Sequence, residues 1–558
     1  MNVGGKTQVA FLVLADGRLR VRHPDSYGVP PERSAAADHR RGLPPRTAAG
    51  TEPVGPTHDV SSALLEAFAA QSLELVEPVE LVPSTQANLT GPRARRPSRP
   101  AKIHLALDLA EGEDAVVLLE QDGFFSWQRP VGYDRAPTRA RRRSGPPSTG
   151  QRGAVPPTTR VVRFEIDVRP AAPARPAART SAAFGPFGDV VIGRLKAYVL
   201  KFIPGVITTI LERDIQPGLV VMTGKDVKGW PLVDNLTQVA LPETQPAKIL
   251  LLIHGTFSST AGCYGVLTST APGQELLDAA AHSYDAVIGF DHRTLSRDPL
   301  ANATDLLARL KAQHLTHTPT IDIVSHSRGA LVARSLIEYL LPKETLPANI
   351  GKVVFVGATN DGTLLAEPDN WGAFVDLHTN LAAGVARSIE SGTGKAPVAE
   401  VVKGLLKGVG PFVKYLVSVT ERQIPGLAAM EPDGPFIKRI NQTQPGQPVP
   451  GTPWYVVSSD FDAKLFDNQH EPPELPAELV AKLADGLADR LIGTRNDIVV
   501  DTASMGSVDL PSGGGFIKDS LDFGTNGVVY HLNYFIQPKV CTALMDWLEI
   551  PGVATSRS

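Results

Sequence analysis

Ser327 stands at the centre of Ser325-His326-Ser327-Arg328-Gly329, and its surroundings are of the types that acyl-transfer chemistry requires. Ahead of it, Ile321, Ile323 and Val324 read as the end of a buried strand. Behind it, Ala330, Leu331, Ala333, Leu336 and Ile337 recur at helical spacing. A strand, a tight turn and a helix would hold the Ser327 hydroxyl exposed at the tip, beside the positive end of the helix. Gly329 lets helix and strand approach closely, and Ser325 takes the place where the common form of the motif has glycine. A serine hydroxyl is a weak nucleophile unless a base takes its proton and a carboxylate holds that base. His531, in GVVYHLNYF (527–535), is the candidate base, read at the end of a last strand. Three carboxylates are candidates to orient it, each at an expected strand end: Asp497 in RNDIVV, Asp460 closing WYVVSSD, and Asp361 in NDGT, preferred in that order. An N-D-G run is also a strong turn signal, which weighs against the last.

A serine-centred site also needs backbone N–H groups aimed at the developing oxyanion. His254-Gly255-Thr256-Phe257-Ser258-Ser259 follows the apolar run KILLLIH (248–254) directly. Gly255 permits close approach to a substrate. The N–H of Thr256, with Phe257 as the lesser alternative, and that of Arg328 are the expected donors; losing one typically costs about 3 kcal/mol of barrier stabilisation.

These residues need a scaffold that brings strand ends together. From Ala247 onward strands alternate with helices: KILLLIH, YDAVIGFDH (284–292), the helix begun at Asp298 or Pro299, TIDIVSHS, KVVFVGAT (352–359), WYVVSSD (454–460) and GVVYHLNYF. Such alternation implies an α/β fold with a doubly wound, mostly parallel sheet. Right-handed crossovers would then gather the strands' C-terminal ends, and so the site, on one side.

The motifs together resemble the α/β-hydrolase superfamily, and within it the lipase and esterase families, over residues 247–548. LLLIHGTFSS is similar to the lipase oxyanion-loop segment, IDIVSHSRGALVAR to the nucleophile elbow, RNDIVVDTAS to the segment that carries the acid in many bacterial lipases, and YHLNYF to the position of the family histidine. The resemblance implies a triad of Ser327, Asp497 and His531, an oxyanion hole from Thr256 and Arg328, and cleavage of carboxylic esters through an acyl-enzyme. VGATNDGTLLA is similar to a stretch that is structural in the family, which lowers Asp361 further. Arg328 departs from the small or apolar residue of many lipases and would bring a charge near the acyl site.

About 95 residues separate the strands at 352–359 and 454–460, more than one crossover needs. Leu381 to Ile389 and Val398 to Ser418 are apolar at helical spacing, so a helical cap over about 361–450 is expected, suited to an apolar acyl group or a lipid surface. Residues 246–550 thus form the expected catalytic domain, 184–245 a connecting module, with RLKAYVLKFIPGVITTILERDI read as helical about Pro204, and 1–183 a β-rich region. That region begins with a hairpin, QVAFLVLA-DG-RLRVR, and alternates in KIHLALDLA. It is interrupted by Pro- and Arg-rich stretches at 23–60, 90–100 and 134–159, read as disordered inserts that could meet a protein partner.

The totals narrow the classes. A net charge of −3 over 558 residues argues against nucleic acid as a partner. The 2 cysteines, Cys263 and Cys541, cannot build a disulfide framework or a zinc cluster, so a cytoplasmic, reducing setting and no cofactor or metal are expected. No apolar run reaches the ~20 residues of a membrane span. VAFLVLA, stopped at once by Asp16-Gly17, reads as a first strand rather than a signal segment. A serine hydrolase of small-molecule or lipid esters is the leading expectation. An acyltransferase or peptidase with the same triad, or an interaction protein built on a non-catalytic scaffold, are the rivals.

Overall fold

The computed structural model describes residues 10–24, 27–30, 60–83, 101–121, 123–135, 160–168, 194–204, 211–212, 215–312, 316–343, 348–391, 398–419, 424–442, 452–465, 480, 482–483, 487–493, 495–508 and 517–551. Two compact units divide the chain: residues 1–57 with 72–205, and 58–71 with 206–558.

The first unit is a β-sandwich. Strands Ala10–Leu14, Leu19–His23, Ala101–Leu109, Arg160–Val168 and Gly132–Arg135 form one antiparallel sheet in that spatial order. Tyr27–Gly28, Glu74–Pro83, Leu195–Phe202, Asp114–Gln121 and Phe124–Gln128 form the other. Alternate residues of both, among them Ile103, Leu105, Leu107, Val117, Phe164 and Val199, share a single core. The expected hairpin and the KIHLALDLA strand are present, whereas the stretch read as helical about Pro204 begins as the strand Leu195–Phe202. That strand lies between two others and is buried along nearly its whole length, so its apolar residues lost the two-residue alternation that identifies a half-exposed strand. The unit therefore runs past the expected boundary at 183. Of the expected inserts at 23–60, 90–100 and 134–159, the described ends are ordered instead, in the strands Leu19–His23, Tyr27–Gly28 and Gly132–Arg135 and the helix that begins at Val60, and the remainder lies outside the described residues.

The second unit has the α/β-hydrolase fold. Its eight-stranded sheet runs, in space, Leu232–Val233, Gly218–Val221, Ala286–Asp291, Lys248–Ile253, Thr320–His326, Asn349–Val356, Trp454–Phe461, Ile517–Asn526. From Ala286–Asp291 onward neighbouring strands are parallel, and the first two form an antiparallel edge. Two strands of the expected connecting module, Gly218–Val221 and Leu232–Val233, thus belong to this sheet. Helices cover both faces, which is why Lys248–Ile253 reads as a continuous apolar run. The chain leaves Lys248–Ile253 for the neighbour on one side and then returns to Thr320–His326 on the other. That reversal opens a crevice at the strands' C-terminal ends, and Gly255-Thr256 and Ser327 sit on its two sides.

One strand differs from expectation: GVVYHLNYF is a turn leading into the short 3-10 helix Tyr534–Ile536, and the last strand is the preceding Ile517–Asn526. IKDSLDFGTN is polar because it is the edge strand, largely in contact with water, so it carries no apolar signal. Tyr530, His531, Leu532, Tyr534 and Phe535 are buried because the turn folds under the sheet's rim.

The cap comprises helices Trp371–Ser391, Val398–Leu405, Val409–Ser418, Pro425–Ala428 and Pro435–Asn441. It meets the core closely. A Cβ on Gly262 would lie 2.2 Å from the carbonyl carbon of Gly404, so the helix Thr260–Tyr264 and the cap helix touch glycine to glycine. A helix from far upstream, Val60–Ala69, belongs to this unit and packs on the cap. Just beyond it, Gln71 donates to Leu406 O at 2.9 Å and accepts from Gly410 N at 2.8 Å, bridging the end of one cap helix and the start of the next.

Candidate active site

Ser327 follows its strand with φ 54°, a left-handed conformation that a non-glycine residue adopts only when its surroundings enforce it. Here the enforcement is packing. A Cβ on Gly329 would lie 2.3 Å from Ile253 O, so only glycine lets the following helix press against the neighbouring strand. A Cβ on Gly255 would lie 2.6 Å from Ser327 Cβ and 3.1 Å from its Oγ, which explains the glycine of the His254-Gly255 pair. The Ser327 hydroxyl is thereby aimed across the crevice.

His531 receives it. The His531 Nδ1 lies 2.7 Å from Asp497 Oδ2, and its Nε2 lies 2.9 Å from Ser327 Oγ. An ionised carboxylate only accepts, so Nδ1 carries the proton and Nε2 is free to accept from the serine. Asp497 is fully buried and its carboxylate is fully bonded: Oδ1 accepts from Val499 N at 3.2 Å and Val500 N at 2.8 Å, and Oδ2 also accepts from Tyr534 OH at 3.0 Å. Burial, then the nearby Asp497 charge, raises the Tyr534 phenol far above its ordinary range, so it stays a donor. Backbone bonds fix the imidazole's base. His531 N donates to Asp497 O at 3.0 Å, and the His326 ring donates through Nε2 to His531 O at 2.9 Å. Below the cluster, Gly357 has φ 52°, and a Cβ there would lie 2.7 Å from the Tyr534 ring and 3.2 Å from Asp497 Oδ2. His326, Gly357 and Tyr534 were not singled out from sequence. Their only signal was position, beside the nucleophile, after the next strand, and three residues past the candidate base.

The two lower-ranked acids lie elsewhere. Asp460 accepts from Thr525 Oγ1 at 2.6 Å, Asn496 N at 3.2 Å and Arg495 Nε at 3.3 Å, tying the last strand to the acid-bearing loop. Asp361 accepts from Asn441 Nδ2 at 3.2 Å, holding a cap helix.

The candidate oxyanion donors flank Ser327: Arg328 follows it in the chain, and Thr256 lines the cavity at its hydroxyl. Neither Thr256 N nor Arg328 N is committed to a partner among the described residues, whereas Phe257 N donates to Thr294 Oγ1 at 3.2 Å and is spoken for. The peptide that carries the Thr256 N–H is held from its other side, because His254 Nδ1 donates to Gly255 O at 2.9 Å and a trans peptide points its N–H opposite its C=O. The Arg328 side chain corrects the expectation of a charge near the acyl site. It is fully buried and turned aside, donating to Arg297 O at 2.5 Å and Gly426 O at 3.4 Å, and burial lowers it to about 10. It does not line the cavity at Ser327.

That cavity is bounded by Gly255, Thr256, Phe374, His378, Leu405 and Phe535 around Ser327 and His531, and has a volume of about 20 Å³, room for about one water molecule. Phe374, His378 and Leu405 belong to cap helices, so the cap is shut over the serine. Phe257 packs its ring, tilted or edge-on, among Phe374, His378 and Phe412 at centroid distances of 5.0 to 5.2 Å. Cys263 also lines the cavity, and both cysteines are unpaired thiols. Among the described residues no helix is long and apolar enough to cross a membrane.

Comparison with known proteins places the chain in a family. It belongs to the family described as a domain of unknown function, DUF7379, whose model matches residues 217–549. A second model, the domain of unknown function DUF7362, matches residues 16–202, close to the sandwich. No curated protein matches the sequence. Among solved structures, the chain is similar to lipase 1 from Pelosinus fermentans, at 13% identity over 55% of this chain and 100% of that one, with a TM-score of 0.35. It is similar to EstA from Clostridium botulinum, at 12% identity over 62% and 99%, with a TM-score of 0.35. It is also similar to the Bacillus licheniformis lipase BlEst2, at 13% identity over 57% and 53%, with a TM-score of 0.32, so it spans about half the length of that lipase.

Proposed function

We propose that this chain is a serine hydrolase that cleaves carboxylic esters. The observation that carries the reading is His531, bonded through one ring nitrogen to Asp497 and through the other to Ser327. Ser327 Oγ attacks the ester carbonyl as its proton passes to His531 Nε2, and Asp497 stabilises the resulting imidazolium. The N–H groups of Thr256 and Arg328 donate to the oxyanion. Collapse of the tetrahedral adduct expels the alcohol, which takes the proton from His531 and leaves an acyl-serine. Water then attacks with His531 again as base, releasing the acid and restoring the serine.

The apolar wall of Phe374, Leu405 and Phe535 suits an apolar acyl chain, and a space of about 20 Å³ is too small for an ester, so this reading requires the cap to move aside before substrate enters. A p-nitrophenyl ester series of increasing chain length tests the reading. Turnover by the wild type, rising with chain length and absent in Ser327→Ala, is expected. A folded wild type that hydrolyses none of them and does not react with a fluorophosphonate would leave the scaffold reading in its place. Because Gln71 ties two cap helices together, Gln71→Ala should raise turnover of the longest esters severalfold.

A further inference from the structure

Glu212 lies just before the catalytic sheet, yet its side chain is buried among the loops of the candidate site, with 1% of the residue exposed. Its φ is 64°, a backbone conformation costly for a glutamate and kept only where the surroundings demand it. The carboxylate fills a nest of donors in the loop after Ala286–Asp291. Oε1 accepts from Thr294 N at 2.7 Å and Thr294 Oγ1 at 2.9 Å. Oε2 accepts from Leu295 N, Ser296 N and Ser296 Oγ, each at 2.9 Å.

Thr294 passes this constraint on. A hydroxyl has one proton and two lone pairs. The carboxylate takes the proton, which turns a lone pair toward Phe257 N at 3.2 Å. Phe257 has φ 62°, and its carbonyl accepts from Gly408 N at 3.0 Å. The peptides on both sides of Thr256 are therefore anchored, one by His254 on Gly255 O and the other by Thr294 on Phe257 N. Thr256 therefore has little freedom to reorient its own N–H.

We infer that Glu212 is a positioning residue for the oxyanion hole, acting through the Thr294 hydroxyl to hold Phe257 and so aim the Thr256 N–H. The inference rests on the hydrolase reading above. It touches neither substrate nor Ser327. Its effect is on the alignment of a donor that matters only once negative charge develops, so its loss lowers kcat and leaves KM nearly unchanged.

The test uses the full chain and three substitutions. Glu212→Gln puts an amide N–H against donors, Thr294→Val removes the hydroxyl at nearly constant shape, and Thr294→Ser keeps it. On p-nitrophenyl butyrate, kcat should fall about 10- to 100-fold in Glu212→Gln and Thr294→Val, the scale of an ångström-sized misplacement, with KM within about twofold and Thr294→Ser close to wild type. The rate of fluorophosphonate inactivation should fall in parallel. Folded Glu212→Gln or Thr294→Val with wild-type kcat overturns the inference, as does a lowered melting temperature with kcat preserved, which would mean a purely structural role. If Glu212→Gln does not fold, the Thr294 pair decides alone, and equal kcat in Thr294→Val and Thr294→Ser overturns the inference. A wild type inert to both ester and fluorophosphonate removes the hydrolase reading and this inference with it. An active wild type with unaffected variants removes only the inference.

Discussion

Two buried histidine–carboxylate pairs stand at the rim of the same sheet, and they are built for different tasks. His531 is bonded to Asp497 at 2.7 Å and presents its other nitrogen to Ser327. His254 lies 3.8 Å from Asp291, and both its nitrogens are occupied by backbone: Nδ1 donates to Gly255 O and Nε2 accepts from His292 N at 3.3 Å. Asp497 has only neutral donors and one imidazole around it. Asp291 faces the Lys407 ammonium at 3.0 Å and Thr260 N at 2.7 Å; burial opposes its charge, but the lysine and these donors outweigh it and hold the carboxyl below its usual range. Burial lowers His254 to about 4, so it stays neutral and braces the Gly255 carbonyl. A histidine beside an aspartate is therefore not in itself a catalytic pair. The distinction lies in whether the second nitrogen meets a nucleophile, and in whether the carboxylate's charge is left for the imidazole or already spent on a lysine.

Exchanging the two acids sharpens that contrast most. Asp497→Asn should lower kcat by about 10⁴-fold through loss of the productive tautomer, with the fold retained. Asp291→Asn should change kcat by less than about tenfold and instead cost roughly 2 kcal/mol of stability. That is less than for a wholly buried pair, because Lys407 reaches solvent. Ester kinetics and urea unfolding of the two variants separate the roles; similar kcat losses would erase the distinction. Next in size, Gly357→Ala forces a methyl group against Tyr534 and Asp497 and should cost activity about 100-fold, read as kcat at a temperature where the variant remains folded. Tyr534→Phe should cost about 1–2 kcal/mol of transition-state stabilisation by removing one donor from Asp497, seen as a five- to thirty-fold fall in kcat/KM.

A last effect concerns pH and bears on stability rather than on turnover. Burial lowers His254 and His378 to about 4 and His292 and His326 well below the ordinary value of 6.5. Between 6.5 and 4 the unfolded chain binds protons that the folded chain refuses, so stability falls as pH drops through that window, by up to about 1.4 kcal/mol per pH unit for each such histidine. The urea midpoint should decline from pH 7 to pH 5. A flat profile would mean that these imidazoles are not held neutral.

Much of the site was legible because strand ends announce themselves. KILLLIH and TIDIVSHS are buried on both faces, so their apolar runs mark where the chain must emerge at the rim with Gly255 and Ser327. The stretch that carries His531 reads as a strand in the sequence but is a turn, because burial of a folded turn and of a strand leave the same apolar trace. The side chain of Arg328 was misjudged because sequence gives its place beside the nucleophile but not the carbonyls of Arg297 and Gly426 that draw it away. Glu212 left no local trace at all. Its partners are more than 80 positions distant, and only tertiary packing brings them to its carboxylate.

The central claim, that Ser327 is made nucleophilic by His531, is tested most directly by locating a fluorophosphonate adduct by peptide mass spectrometry in the wild type and in His531→Ala. The account predicts one adduct, on Ser327, in the wild type and its loss in the folded variant. An adduct on another residue, or equal labelling of Ser327 without the imidazole, would contradict it.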